Sequence, residues 1–152
     1  MVQIRLTAKI SETGDLDSVI NRIKRAIEGR KAIQVGLPGS KVSGDVLQYA
    51  IWNHYGTSRG TPARPFITVA IYKNRSKLQA HMKTIAFGAI RSGTSLESGL
   101  AKLGAYATGL IQDQIASSMP PPNAPSTVQQ KGSSGTLIDT GRLRQSVTWD
   151  WE

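Results

Sequence analysis

The sequence contains no cysteine. Disulfide bonds and thiolate metal sites are therefore excluded, and the fold must depend on packing within the chain or on association with neighbouring chains. Long apolar runs are also missing: no stretch approaches the roughly 20 apolar residues that span a bilayer, and residues 1–6 lack the apolar run of a signal peptide. These absences predict a soluble protein that is made and used in a cytoplasm and has no membrane partner.

Acidic residues are scarce: the chain has 10 of them against 19 lysine and arginine residues, and its formal net charge is +9. None occurs between Asp45 and Glu97. Such a field attracts nucleic acid or an acidic protein surface. An arginine-rich run, an RNA-binding aromatic signature and zinc-finger spacing are all absent. The sequence therefore disfavours a protein that recognises a specific nucleic-acid sequence. Twelve of the 19 basic residues form two groups, Arg22, Lys24, Arg25, Arg30 and Lys31, then Arg59, Arg64, Lys73, Arg75, Lys77, Lys83 and Arg91.

Residues that could support catalysis are isolated from one another. His54 and His81, the only histidines, do not have metal-ligand spacing. The acids form no recognisable proton-transfer pair or magnesium cluster. Residues 37–41 place a glycine and a lysine after a predicted strand, but the phosphate-loop pattern is incomplete, and no serine lies in a Gly-x-Ser-x-Gly elbow. The sequence therefore predicts a protein that is not an enzyme, with no catalytic residue, metal or cofactor.

The hydrophobic pattern predicts one α+β domain over residues 1–152, which is long enough to bury a sizeable core. Strand patterns occur at residues 2–10, 32–37 and 147–151, and helical spacing occurs at 16–27, 46–52, 66–90 and 96–115, with a short helix inside 137–146. Asp45 and Thr94 or Ser95 are predicted N-caps, and Gly56 and Gly93 are predicted helix ends. These elements predict a small mixed or antiparallel sheet packed against two or three helices.

Residues 120–136 are predicted to form a long proline-rich arm or loop before the C-terminal strand. The prolines that follow Met119 forbid continuation of the preceding helix. Residues 126–135 are mostly small and polar, and such a segment does not pack well by itself. The pattern indicates an extended arm or a mobile loop.

Residues 52–66 contain three aromatic residues, two arginines and no acid. Pro62 and Pro65 each restrict a φ angle, and they push the residues before them towards extended geometry. This restriction predicts a stiff, exposed loop that displays Arg59 and Arg64 as a docking surface. The alternative is an ordinary connection between helices, with its aromatic residues in the core.

Glycines recur inside the helix predicted at residues 96–115. Gly99, Gly104 and Gly109 each cost roughly 1 kcal/mol relative to alanine in a helix. Their presence predicts the close approach of another backbone, more readily within one chain than between subunits. Trp149 and Trp151 are two residues apart and so share one strand face, where they are expected to cover a core or an edge.

Two segments taken together resemble a known protein family. The first is Trp52-Asn53-His54-Tyr55-Gly56-Thr57-Ser58, followed by Pro62-Ala63-Arg64-Pro65-Phe66. The second is proline-rich, Pro121-Pro122-Asn123-Ala124-Pro125, followed by Leu137-Ile138-Asp139-Thr140-Gly141-Arg142-Leu143-Arg144-Gln145-Ser146. In order and spacing they are similar to the signatures of small head-tail connection and tail-completion proteins of tailed bacteriophages, including the virion-morphogenesis proteins of Mu-like phages. The first 45 residues match only in general character.

The resemblance implies an α+β structural protein of the phage neck or tail end, assembled in the host cytoplasm and located in the virion. It implies a ring of about six to twelve copies around the DNA channel. The expected partners are further copies, neighbouring neck and tail proteins and, without sequence preference, DNA. The residues predicted to contact other subunits or partners are Trp52, Tyr55, Arg59, Arg64, Phe66, Pro121, Pro122, Pro125, Arg142 and Arg144, with Arg59 and Arg64 facing acidic groups.

Two alternatives remain at this point. The net charge of +9 is also compatible with a nucleic-acid-binding module, whose DNA affinity would fall steeply with salt. A small virion-associated hydrolase is less favoured, because the sequence contains no acid pair, metal cluster or nucleophile triad to support one.

Overall fold

The computed structural model describes residues 16–29 and 32–152. The elements in order are α1 (Leu16–Ala26), β1 (Ile33–Gly36), α2 (Gly44–Tyr55), α3 (Phe66–Ser92), α4 (Leu96–Ala116), α5 (Pro125–Lys131), α6 (Arg142–Ser146) and β2 (Thr148–Trp151). The described chain is therefore a mixed α+β structure in which helices dominate, which confirms the predicted fold class. The strand predicted at residues 2–10 lies outside the described residues.

The helices α3 and α4 form an antiparallel hairpin, which is the largest helix–helix contact of the described chain. Gly93 ends α3 in the left-handed conformation, with φ of 65°, and its N–H donates to the Ala89 carbonyl. Ser95 caps α4 by accepting a hydrogen bond from the Ser98 N–H. Both helix boundaries were predicted from the sequence. At α2, in contrast, the N-cap is Ser43, and Asp45 lies in the first turn, where its charge favours the helix dipole.

The glycines of α4 make room for side chains, and the prediction that they admit another backbone is wrong. A Cβ atom at Gly99 would collide with Ile85 of α3, and one at Gly104 would lie 2.7 Å from the Trp149 ring. Gly109 has no such neighbour within 4 Å. At Gly99 and Gly104, the lack of a side chain therefore permits close packing inside the subunit, which offsets the cost of a glycine in a helix. Gly109 has no such compensation.

Gly104 and Gly109 provide a matched pair of substitutions. We expect Gly104→Ala to destabilise the chain by about 1–3 kcal/mol, because the new methyl group overpacks against Trp149. Gly109→Ala should stabilise it by about 0.4–1 kcal/mol, since alanine favours the helix and meets no neighbour. Urea denaturation of the two variants measures both changes in the free energy of unfolding. Equal effects of the two substitutions would contradict this account of Gly104.

The two strands pack against α4. β1 and β2 are antiparallel, with Val35 opposite Trp149 and Ile33 opposite Trp151. The two tryptophan rings meet edge to face at a centroid distance of 5.3 Å, and both side chains are partly buried. Trp149 lies on Gly104, so this tryptophan covers the core, as its position on the strand predicted.

The core is formed by α2, the first turns of α3, the end of α4 and residues 137–147. Its largest fully buried side chains are Phe66, Ile111, Ile115 and Leu137. Met119, Leu143 and Val147 belong to the same cluster. The segments on both sides of the predicted arm are therefore anchored in this core.

The segment predicted as an extended arm is folded. Pro125 stands at the start of α5, a position that suits proline because its N–H is not needed there, and α5 ends at Gly132 with φ of 64°. The Asn123 side chain and the Lys131 ammonium both donate to the Gly135 carbonyl, at 3.1 and 3.0 Å. These two bonds close the segment on itself, and the predicted extended arm is therefore not confirmed.

Candidate interaction surfaces

The loop between α2 and α3 is held by its own backbone. Gly56 has φ of 77°, and a Cβ there would lie 2.9 Å from backbone atoms of Thr61 and Ala63. Within the loop, the Thr57 N–H donates to the Thr61 carbonyl at 2.9 Å, and the Gly60 N–H donates to the Thr57 carbonyl at 3.2 Å. The loop is thus a tight turn that leaves Arg59 exposed near its tip.

Arg64 joins this loop to the proline-rich segment. Its guanidinium donates two hydrogen bonds to the Pro121 carbonyl, from Nε at 3.0 Å and from Nη2 at 2.7 Å. Nη2 also donates to the Pro122 carbonyl at 3.3 Å and to Asn123 Oδ1 at 3.2 Å. The Arg64 N–H donates to the Asn53 carbonyl at 2.7 Å. Through its backbone N–H and its side chain, this one residue therefore connects α2, the loop and residues 121–123.

The prediction that Arg64 is displayed to an acidic partner is wrong. Arg64 is only 3% exposed, and its acceptors are carbonyl and amide oxygens of its own chain. Burial lowers its pKa, and the nearby Tyr49 acts in the opposite direction. Prolines provide carbonyl acceptors but no N–H donors, so a proline run cannot supply donors to its own carbonyl groups. The Arg64 guanidinium supplies them to Pro121 and Pro122 from its planar set of N–H groups.

The outer side of α2 carries an exposed apolar surface. Ile51 and Trp52 are each 48% exposed, and Tyr55 is 75% exposed. Ile51 and Tyr55 line a groove of about 300 Å³ whose lining is mainly apolar, and Trp52 adjoins Ile51 in sequence. We call these three residues and the groove the α2 surface. The groove is lined by Leu37, Leu47, Ala50, Ile51, His54, Tyr55, Phe66, Ile67 and Thr68.

His54 lies in the groove between two aromatic rings. Its ring centroid is 4.7 Å from that of Tyr55 and 5.2 Å from that of Phe66. Nε2 is 3.3 Å from the Thr68 hydroxyl, and Nδ1 is buried without a hydrogen-bond partner. Burial lowers the pKa of His54 below its ordinary value of 6.5. The imidazole is therefore neutral at pH 7.

The lowered pKa of His54 makes stability depend on pH. Because the unfolded chain takes up a proton more readily, the stability contributed by neutral His54 is present above pH 6.5 and is lost as the pH falls through that value towards the lower folded pKa. We expect His54→Gln to flatten the pH dependence of urea denaturation between about pH 7.5 and 5. His81→Gln, which removes the other histidine at an exposed position, is the control. A profile of His54→Gln identical to that of the unaltered chain would contradict this expectation.

A second cavity, of about 310 Å³, lies between the start of α2 and the loop that leads into α6. Arg142 Nη2 forms an ion pair with Asp45 Oδ2 at 2.9 Å, and both side chains are more than half exposed. A hydrogen bond from Ser43, together with Arg142, lowers the pKa of Asp45. Burial, with the charge of Asp139 nearby, raises the pKa of Tyr49, which also lines this cavity. The exposed pair contributes little stability by itself.

The outward side of α3 carries a row of cationic and aromatic residues. Tyr72, Arg75, Gln79, Lys83 and Phe87 follow one another at spacings of three and four, so they share one face of the helix. Tyr72 is 68% and Phe87 is 53% exposed, and the Arg75 guanidinium lies 5.3 Å from the centroid of the Tyr72 ring. α3 contains no acidic residue. We call this row the α3 stripe.

The other predicted contact residues divide into buried and exposed groups. Phe66 is fully buried in the core and has no surface with which to contact a partner. Trp52, Tyr55 and Arg59 are exposed. So are Pro121, Pro122, Pro125, Arg142 and Arg144. The predicted contact residues did not include Ile51 and His54, although Ile51 precedes His54 by three residues and Tyr55 by four, and such spacings place residues on one side of a helix.

Within residues 16–29 and 32–152, no group of three histidine, aspartate or glutamate side chains is placed to hold a metal ion. Across that same part of the chain, every helix is too short or too polar to cross a membrane. Comparison of the chain with protein-family models, with curated proteins and with solved structures finds no match.

Proposed function

We propose that this chain is a non-enzymatic structural subunit of a tailed-bacteriophage particle, placed at the neck or tail end. Its copies form a ring that joins or completes the head-tail junction around the DNA channel. The observation that carries the proposal is the α2 surface, where Tyr55 lines an apolar groove and Trp52, three residues before it, is also exposed. Contiguous exposed apolar surface of this kind is typical of protein–protein contact sites.

The two segments that resemble phage proteins meet in the fold. Arg64, from the first, donates to the carbonyls of Pro121 and Pro122, from the second. Leu137 and Leu143, also from the second, lie in the same core cluster as Phe66. The resembling residues therefore form one internal framework, and the exposed residues available for contact, such as Trp52 and Tyr55, are attached to it. This shared framework supports the interpretation that both segments resemble one family of phage proteins for a common structural reason.

Native mass spectrometry of the purified chain, followed by negative-stain imaging, tests the ring. We expect a single closed oligomer of about six to twelve copies, because a heterologous contact closes into a ring when its rotation permits. A chain that is monomeric at every concentration, or a dimer with two-fold symmetry, would contradict self-assembly through a head-to-tail contact.

Immunogold labelling of particles tests the location separately. In virions of the phage or prophage that encodes this sequence, an antibody against the chain should label the junction between head and tail. Label that is absent from purified particles, or spread over the capsid, would contradict the proposed place in the virion whatever the oligomeric state.

A further inference from the structure

We infer that the α3 stripe, together with the neighbouring cations of α3, is a sequence-independent contact surface for the backbone of duplex DNA. The inference deepens the proposed function and rests on it for its biological setting, since a ring at the head-tail junction surrounds DNA. The binding itself is a property of the single chain and can be measured whether or not a ring forms.

The cations of α3 have no carboxylate partners among the described residues. The ion pairs found there are Lys41 with Asp150 and Arg142 with Asp45, and neither involves α3. Lys73 donates to the Gln114 amide oxygen at 3.2 Å, and Arg75 lies against the Tyr72 ring. A solvated cation that no described carboxylate neutralises is available to an external anion.

The arrangement of these cations fits a long, uniform polyanion. α3 has 27 residues and is therefore about 40 Å long. Arg75 and Lys83, the two cations of the α3 stripe, lie eight residues and about 12 Å apart along its axis. Duplex DNA carries one negative charge per about 1.7 Å of axis, so it offers phosphates to separated cations without requiring one particular register. An acidic protein would need carboxylates at matching intervals to do the same.

The side chains of the stripe favour backbone contact without base recognition. The helix packs on α4 and, less extensively, on α1, so its outward side is the side that can meet a partner. That side offers separated point charges of Arg75 and Lys83, with exposed Tyr72 and Phe87 near its two ends. Contacts with phosphates position a protein on DNA but carry no sequence information. Two unrelated duplexes should therefore bind equally well.

Fluorescence anisotropy with two unrelated 30-base-pair duplexes tests the inference. With about four phosphates neutralised, the affinity should fall by about 10²-fold between 50 and 200 mM salt. In Arg75→Gln/Lys83→Gln, the slope of log affinity against log salt should decrease by about two, since each removed phosphate contact lowers it by about one.

The matched control removes two cations from a different helix. Lys24→Gln/Arg25→Gln changes the net charge by the same amount and alters exposed residues of α1. It should retain the slope of the unaltered chain. Equal losses in the two double variants would overturn the assignment to α3, because net charge alone would then explain binding. Circular dichroism melting of both variants checks that they remain folded.

Two further outcomes would overturn the inference. The first is the absence of duplex binding at 50 mM salt. The second is equal competition by polyglutamate at the same concentration of charge, which would assign the stripe to an acidic protein. Native mass spectrometry under the same conditions reports the oligomer independently, so failure of DNA binding and failure of the ring are separate results.

Discussion

Replacing Arg64 with alanine should destabilise the chain by about 3–5 kcal/mol. The substitution removes four hydrogen bonds from a charged donor, and it leaves the Pro121 and Pro122 carbonyls without these donors. Hydrogen bonds to a charged group contribute about 1.5–3 kcal/mol each. The variant also avoids the free-energy cost of burying the guanidinium, and this gain offsets part of the loss. Urea denaturation of the variant measures the difference in the free energy of unfolding.

Two variants separate the role of Arg64 from general loop effects. Arg64→Lys keeps the positive charge but loses the planar fork of N–H groups, so it should recover only part of the lost stability. Arg59→Ala alters an exposed arginine of the same loop and should change stability by no more than about 0.5 kcal/mol. A loss below about 1 kcal/mol in Arg64→Ala would show that the connection to residues 121–123 is not important for folding.

Replacing Trp52 and Tyr55 together with glutamate should abolish the oligomer and leave the monomer folded. Large aromatic anchors at the centre of an interface contribute about 2 kcal/mol or more each, so the double substitution should weaken the contact at least about 10³-fold. Both side chains are substantially exposed within the subunit, and their replacement should therefore have little effect on its melting temperature. Native mass spectrometry measures the loss of the oligomer.

Tyr72→Glu is the control for the α2 surface. Tyr72 is an exposed aromatic residue of similar size on a different helix, 68% exposed, and its replacement should leave the oligomer intact. If Trp52→Glu/Tyr55→Glu forms the same oligomer as the unaltered chain, the α2 surface is not the subunit contact. If Tyr72→Glu also dissociates the oligomer, the added negative charge explains the loss, and the position of the substitutions on the α2 surface does not.

The helical framework could be predicted from the sequence because its signals are local. Apolar residues at three-to-four spacing indicated α3 and α4, and Gly93 and Ser95 indicated the break between them. Such signals act within a few residues, since capping and the left-handed conformation satisfy backbone groups of the adjacent turn. The residues on one side of a helix also follow from this spacing, which is why exposed Trp52 and Tyr55 could be nominated together.

The proline-rich segment could not be predicted correctly, because its partners are distant in sequence. Small polar residues after a run of prolines indicate an extended chain when they are considered alone. In the fold, Arg64 reaches the Pro121 carbonyl across 57 positions of sequence, and the ends of the segment are anchored by Met119 and Leu137 in the core. These long-range contacts stabilise a compact form that local preference does not favour.

The sequence by itself determined every described helix except α5, the break between α3 and α4, the strand patterns around Val35 and Trp149, and the excess of positive charge. Only the tertiary structure decided which arginine is available to a partner. Arg59 and Arg64 lie five positions apart in one acid-free loop, yet Arg59 is exposed and Arg64 is buried against carbonyl oxygens. The physical reason is that the direction of a loop side chain depends on hydrogen-bond acceptors that folding brings close. The spacing of residues along the chain does not show where those acceptors will lie.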